Sequence, residues 1–173
     1  MSKTRSTKCR LEREIMYLPR PSSKYKGSYP KYFEKHIKRL LETENYIHLF
    51  SGSAQTGLRV DINFNSKPDV VADCHNLPFK DNSFNGGFAD PPYNAKFSDK
   101  LYDTQQVHFY KWTKELSRVV KPSCKIGIMH VVVLPKIFNC KYIKIVAILL
   151  RIWQITKIVI IYQKKENLEE FLK

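Results

Sequence analysis

The sequence predicts an α/β protein in three layers, with a mostly parallel sheet that finishes in an antiparallel hairpin. Three observations lead there. Four short apolar runs between residues 46 and 90 each end in, or close to, a small polar or acidic residue, as buried parallel strands do. Two stretches of helical spacing, one before and one after these runs, supply helices to flank a sheet. Two apolar segments late in the chain lie close enough together to pair directly.

Taken in order, residues 1–30 are polar and basic, carry Pro19, Pro21, Gly27 and Pro30, and read as an extended arm. A helical stripe begins after Pro30, with Phe33, Ile37, Leu40 and Leu41 on one face. Residues 46–50, 58–62, 69–73 and 86–90 are the four strand candidates. A second helix is expected from about Thr104 to Val120, stopped by Pro122. Lys125 to Leu134 reads as a further strand, and residues 143–150 with 157–163 as the closing hairpin.

At 173 residues the chain is long enough to bury a core as one domain, divided here into an arm, 1–30, and a single domain, 31–173. A hydrophobic content of 43% with 27% charged residues excludes a disordered or collagen-like chain. The net charge of +14 asks for a polyanionic partner, nucleic acid first. Its distribution is uneven. Residues 1–40 hold 12 basic and 3 acidic side chains, residues 41–120 hold 8 and 10, and residues 121–165 hold 9 and none. Acidic chemistry is thus expected in the middle, between basic flanks.

Cys9, Cys74, Cys124 and Cys140 form no CxxC pair, so neither a zinc site nor a disulfide framework is expected, and a reducing cytoplasm is the default location. The N-terminus lacks the apolar core of a signal peptide. The most apolar stretch, 143–162, is interrupted by Lys144, Arg151, Gln154 and Lys157, which argues against a membrane span.

Ligands of open α/β sheets bind beyond the C-terminal ends of the strands. That rule gathers Gly52, Ser53, Asp61, Asp73 and the run Asp90-Pro91-Pro92-Tyr93-Asn94 at one edge. Two consecutive prolines remove two N–H donors, leaving nearby carbonyls to face a cleft. A carboxylate beside such a carbonyl makes a pair of acceptors suited to an NH₂ group, and the adjacent aromatic ring offers a face to a planar base. Accepting both amino hydrogens draws the nitrogen lone pair out of conjugation and prepares it to attack an electrophilic methyl group.

On these residues the chain resembles the S-adenosylmethionine-dependent amino-methyltransferases of nucleic acids, whose fourth motif is Asp/Asn/Ser-Pro-Pro-Tyr/Phe. The resemblance spans roughly residues 24–163. It implies a Rossmann-like class I methyltransferase fold, S-adenosylmethionine as cofactor and no metal. It also implies that Asp90 and the carbonyl of Pro91 hold the target amino group, beside Pro92, while Tyr93 stacks on a flipped base. Phe50-Ser51-Gly52-Ser53 is similar to the family's first motif, the turn that approaches the cofactor's amino-acid portion. Asp61 would bind the ribose hydroxyls. Asp73-Cys74, followed by Leu77-Pro78-Phe79-Lys80-Asp81-Asn82-Ser83-Phe84, is similar to the third motif, with Asp73 accepting the cofactor's adenine amino group. Leu116 to Pro122 resembles the helix end that precedes the fifth strand.

Two departures stand out. Ala54 replaces the third glycine of the first motif, and His48 stands where an acid that orders the loop is customary. Only seven residues, Ser51 to Gly57, join the first two strands, whereas a helical crossover needs about a dozen. Seven extended residues reach about 24 Å, and a four-residue strand is only about 13 Å long. The first crossover helix is therefore expected to be short or missing while the parallel order survives.

The expected nucleic-acid contacts are Lys24 and Lys26 in the arm and Asn94, Lys96 and Lys100 after Tyr93. No stretch is long enough for a separate target-recognition domain, which leaves room for a protein partner that selects the site. The expected activity is methyl transfer to a nucleobase amino group, adenine N6 in DNA first. The alternatives are an adenine or guanine amino group in rRNA or tRNA, or a catalytically silent nucleic-acid-binding subunit of a heteromeric methyltransferase.

Overall fold

Eight strands share one sheet because each interior strand is apolar enough to be covered on both faces. A computed structural model describes residues 11–21, 28–93, 107–150 and 156–166. In chain order the elements are β1 (Glu12–Tyr17), α1 (Phe33–Leu41), β2 (Ile47–Leu49), β3 (Leu58–Asp61), β4 (Val70–Val71), β5 (Phe84–Ala89), α2 (Phe109–Val119), β6 (Val120–His130), β7 (Cys140–Leu149) and β8 (Lys157–Lys164). A single 3₁₀ turn, Phe64–Ser66, lies between β3 and β4.

The strand order is β1-β7-β8-β6-β5-β2-β3-β4. All neighbours pair in parallel except those of β8, which is antiparallel to both β6 and β7. This is the Rossmann-like fold of class I methyltransferases. From β2 the chain moves outward through β3 and β4, then crosses back to β5 on the other side of β2. The switch point therefore falls between β2 and β5, where ligands of such sheets bind.

Alternation along each strand assigns the two faces. Phe88, Met129, Val146, Ile148, Val159 and Ile161 pack with Phe33, Ile37, Leu40 and Leu41 of α1. Ala89, Ile126, Ile128, Ile160 and Tyr162 face Trp112, Leu116 and Val119 of α2. Each fully buried side chain of this kind contributes on the order of 1.5–3 kcal/mol before entropy is charged against it. Close approach of α2 depends on Gly87, where a Cβ would meet Leu116 Cδ1 at 2.7 Å.

The connection from β2 to β3 contains no helix, and the two strands pair in parallel from Ile47–Leu58 to Leu49–Val60. The bare loop suffices. Three expectations change. The stretch read as an arm contains β1, which pairs in parallel with β7 at the far edge of the sheet. Met16 and Leu18 bury against α1, while Glu14 binds Arg39 and Lys144, so charge partners distant in sequence complete a strand that local pattern did not show. The second helix begins at Phe109, with His108 extended before it, and Thr104 lies outside the described residues. Finally, β6 starts at Val120, directly from the helix, and stops at His130, short of Leu134. Leu134 and Pro135 instead lie in a loop whose carbonyls accept the hydroxyls of Tyr142 and Tyr162.

Arg118 ties the loop before β5 to α2. Its guanidinium donates to Glu115, to Asp81 and to the carbonyls of Leu77 and Phe79, all between 2.7 and 3.1 Å. Glu115 also accepts the Leu77 N–H at 3.0 Å. Arg118→Met leaves these acceptors without their donor and should cost about 2–3 kcal/mol in urea unfolding; a loss below ~0.5 kcal/mol would show the loop holding itself.

Candidate functional site

The site forms where β2, β3, β4 and β5 end. Phe50, directly after β2, adopts φ 53°, and its ring packs edge-on against Trp112 at 5.3 Å. It is an anchor for the turn. Ser51 is buried, and its hydroxyl has no hydrogen-bond partner among the described residues. Gly52 has φ 47°, and among the described residues nothing beyond its chain neighbours lies within 4 Å of where its Cβ would stand. Ser53 is exposed.

With no helix in the loop, backbone bonds from Ser51 N–H to Val60 and from Ala54 N–H to Ser51 are joined by bonds to side chains. Gly52 N–H donates to Asp61 Oδ2 at 2.9 Å, and Gln55 N–H to Glu34 Oε2 at 2.8 Å. The Thr56 carbonyl accepts from His48 Nδ1 at 3.0 Å. That carbonyl can only accept, so Nδ1 carries the ring proton and Nε2 accepts the Tyr29 hydroxyl at 2.9 Å. His48 is therefore a neutral, buried strand residue that orders the loop, and the missing acid is replaced rather than lost. Burial holds its pKa down at about 4.

Asp61 ends β3, 8% exposed, with Oδ1 accepting Asn63 N–H at 2.9 Å. An ionised carboxylate has about four lone-pair directions, so two bonds leave it able to accept ligand hydroxyls. Asp73 follows β4 and bonds the N–H and Nδ1 of His75 through Oδ1. Burial raises its pKa, but the two His75 bonds outweigh that and hold it low. His75 Nε2 in turn accepts the His108 N–H at 3.0 Å and fixes the start of α2. Cys74 lies alongside; burial and then the Asp73 charge push its thiol up to about 12. The donor atoms of Asp73, Cys74 and His75 lie within 4.8 Å of one another, yet both nitrogens of the ring are already engaged.

Asp90 follows β5 with Pro91 and Pro92, opposite the glycine turn across the switch point. Its side chain is 11% exposed. The Tyr93 hydroxyl donates to Oδ1 at 2.7 Å, and Lys157 Nζ, from the start of β8, stands 3.9 Å from Oδ2. Burial raises the Asp90 pKa, opposed by Lys157 and by Tyr93. Lys157 also lies 5.5 Å above the Tyr93 ring, and His130 stands edge-on to that ring at 5.2 Å.

The structure thus brings Phe50, Ser51, Gly52, Ser53, Asp61, Asp73, Cys74, Asp90, Pro91, Pro92 and Tyr93 to one edge of the sheet. Lys24, Lys26, Asn94, Lys96 and Lys100 lie outside the described residues. Sequence reasoning missed Lys157, His75, Glu34 and Tyr29. The first left a signal, a cation at the head of an apolar run.

No protein-family model matches the chain, and no curated protein matches it. Solved structures do. TrmN from Thermus thermophilus superposes with a TM-score of 0.57 at 13% identity, covering 80% of this chain and 50% of that one. A SAM-dependent methyltransferase from Methanosarcina mazei gives 0.53 at 14%, covering 76% and 98%. The N-methyltransferase NodS from Bradyrhizobium japonicum gives 0.52 at 8%, covering 78% and 97%. The chain spans half the length of the Thermus protein. At these identities the likeness establishes the shared fold.

His48 makes stability depend on pH. The unfolded chain takes up a proton near the ordinary histidine value and the folded chain does not until about 4, so stability is full above the unfolded value and falls as the solution is acidified. Between about pH 7 and about pH 5 the loss should be about 2 kcal/mol by urea unfolding. His48→Asn, which keeps the donor to Thr56, should remove that component; an unchanged slope would place its origin elsewhere.

Proposed function

We propose that the chain is an S-adenosylmethionine-dependent methyltransferase acting on the exocyclic amino group of a nucleobase, with adenine N6 in DNA the first candidate. The observation that carries this reading is Asp90-Pro91-Pro92-Tyr93 at the switch point, its carboxylate nearly buried beside one cation. The fold shared with SAM-dependent methyltransferases supports the cofactor. So does the turn itself: an orphaned buried hydroxyl at Ser51, open space over Gly52 and spare acceptor capacity on Asp61 fit a polar ligand laid across it.

In this reading Ser51, Gly52 and Asp61 hold the cofactor's amino-acid and ribose portions, and Asp73 faces its base. The cofactor, when bound, supplies an electrophilic methyl group. Asp90 and the Pro91 carbonyl accept the two hydrogens of the target amino group and align its lone pair. The Asp90 carboxylate, whose basicity burial raises, then takes the proton that the alkylated nitrogen sheds. Lys157 opposes the effect of burial and favours the ionised form of that carboxylate. Tyr93 hands its bond on Asp90 to the entering amino group and turns its ring to the base. The +14 charge suits a nucleic acid, and along the sequence its basic side chains concentrate in residues 1–40 and 121–165, on either side of the acidic middle.

A labelled methyl-transfer assay on matched DNA and RNA tests the reading. Asp90→Ala should lose at least ~10²-fold in rate with the thermal midpoint kept; full activity in that variant would sink the assignment. Calorimetry showing no S-adenosylmethionine binding would favour the silent-subunit alternative. Lys157→Met removes the cation that lowers the Asp90 pKa, so the rising limb of the pH–rate profile should move to higher pH. Activity should therefore fall more at about pH 6 than at about pH 8.5, and an equal loss at both would assign Lys157 to packing.

A further inference from the structure

Beside the strand-end site lies a groove of roughly 760 Å³ between the start of α1 and the Ser51–Gly57 loop. Lys31, Tyr32 and Lys35 form one wall, and Ser53 and Gln55 the other. The Tyr32 side chain is 51% exposed, and its backbone holds φ 69°, a conformation that side-chain sterics disfavour for a tyrosine. Three backbone bonds keep it there: Lys31 N–H to the Pro19 carbonyl, Phe33 N–H to Pro30, and Lys35 N–H to Tyr32 itself. The strained turn projects an aromatic ring outward. The ammonium groups of Lys31 and Lys35 stand over that ring at 5.0 and 5.6 Å. Glu34, the acid of the groove, is turned to the loop, where it accepts from Gln55 N–H and the Thr56 hydroxyl.

We infer that this groove is a track for single-stranded nucleic acid, with phosphates on Lys31 and Lys35 and an unpaired base on the Tyr32 ring. The inference rests on the nucleobase-modifying reading above and adds the form of the substrate and its path. The exposed ring becomes a stacking platform for an unpaired base once the two ammonium groups over its face turn to the phosphates. Bases within a duplex already stack on their neighbours and have no face to offer. The groove also adjoins the strand-end site, because Tyr29, which lines it, bonds His48 of β2 at 2.9 Å and packs edge-on against Phe88 of β5, two residues before Asp90.

Fluorescence anisotropy tests this with a labelled DNA strand of about twelve nucleotides, its RNA counterpart and the same DNA as a duplex. Both single strands should bind more tightly than the duplex. Tyr32→Asn, which tolerates the left-handed backbone, should weaken single-strand binding about tenfold. Lys31→Gln with Lys35→Gln should reduce the log–log salt slope by about 1.4. Thermal midpoints near wild type certify the folds; should Tyr32→Asn unfold, the lysine pair decides. Duplex binding as tight as single-strand binding, or affinity and slope unchanged in the folded variants, overturns the inference. Groove-dependent binding without methyl transfer keeps the groove and overturns the proposed reaction. Methyl transfer with binding indifferent to the groove does the reverse.

Discussion

Everything at the functional edge depends on how the eight residues between β2 and β3 satisfy their backbone without a helix. In a helix each N–H finds a carbonyl four residues earlier. Here Asp61, Glu34 and His48 supply the partners, reaching in from β3, α1 and β2. The loop therefore cannot move without disturbing three elements, and its glycine turn is held at a fixed height above the sheet. That rigidity gives the exposed side of the turn a defined shape, and the hydroxyl of Ser51 remains buried beneath it.

The charge distribution follows the same division of labour. Acids at the strand ends are each committed to a local partner: Asp61 to two backbone amides, Asp73 to His75, Asp90 to Tyr93 and Lys157. Their negative charge is spent on shaping the cleft. Lys157 is drawn inward at the head of a largely apolar strand and stands beside Asp90, whose side chain is 11% exposed.

Most of the frame was legible in the sequence because it rests on periodicity. The strands from β2 to β5 are short apolar runs, the stripe of α1 is Phe33, Ile37, Leu40 and Leu41, and the seven-residue loop announces its missing helix by length alone. What was hidden depends on partners far away in the chain. β1 has only Met16 and Leu18 to mark its buried face, and its polar remainder is held by Arg39 and Lys144. The start of β6 was masked by Pro122, which marks a helix end but also falls within the strand that follows directly. The roles of His48 and His75 were invisible because each is set by backbone groups that pattern does not locate. The strand-end acids, by contrast, could be found from order alone, since each follows its strand.

The pairing of β1 with β7 has a consequence for the order of assembly. Glu14 and Lys144 are 130 positions apart, and the strand that separates β7 from the rest of the sheet, β8, comes later still. During synthesis the first strand emerges from the ribosome long before its neighbour exists. The β1–β7 edge thus waits until β8 has been made, while the segment around β2 to β5 has its own strands at hand much sooner. The cleft edge can take shape early; the opposite margin of the sheet is finished last.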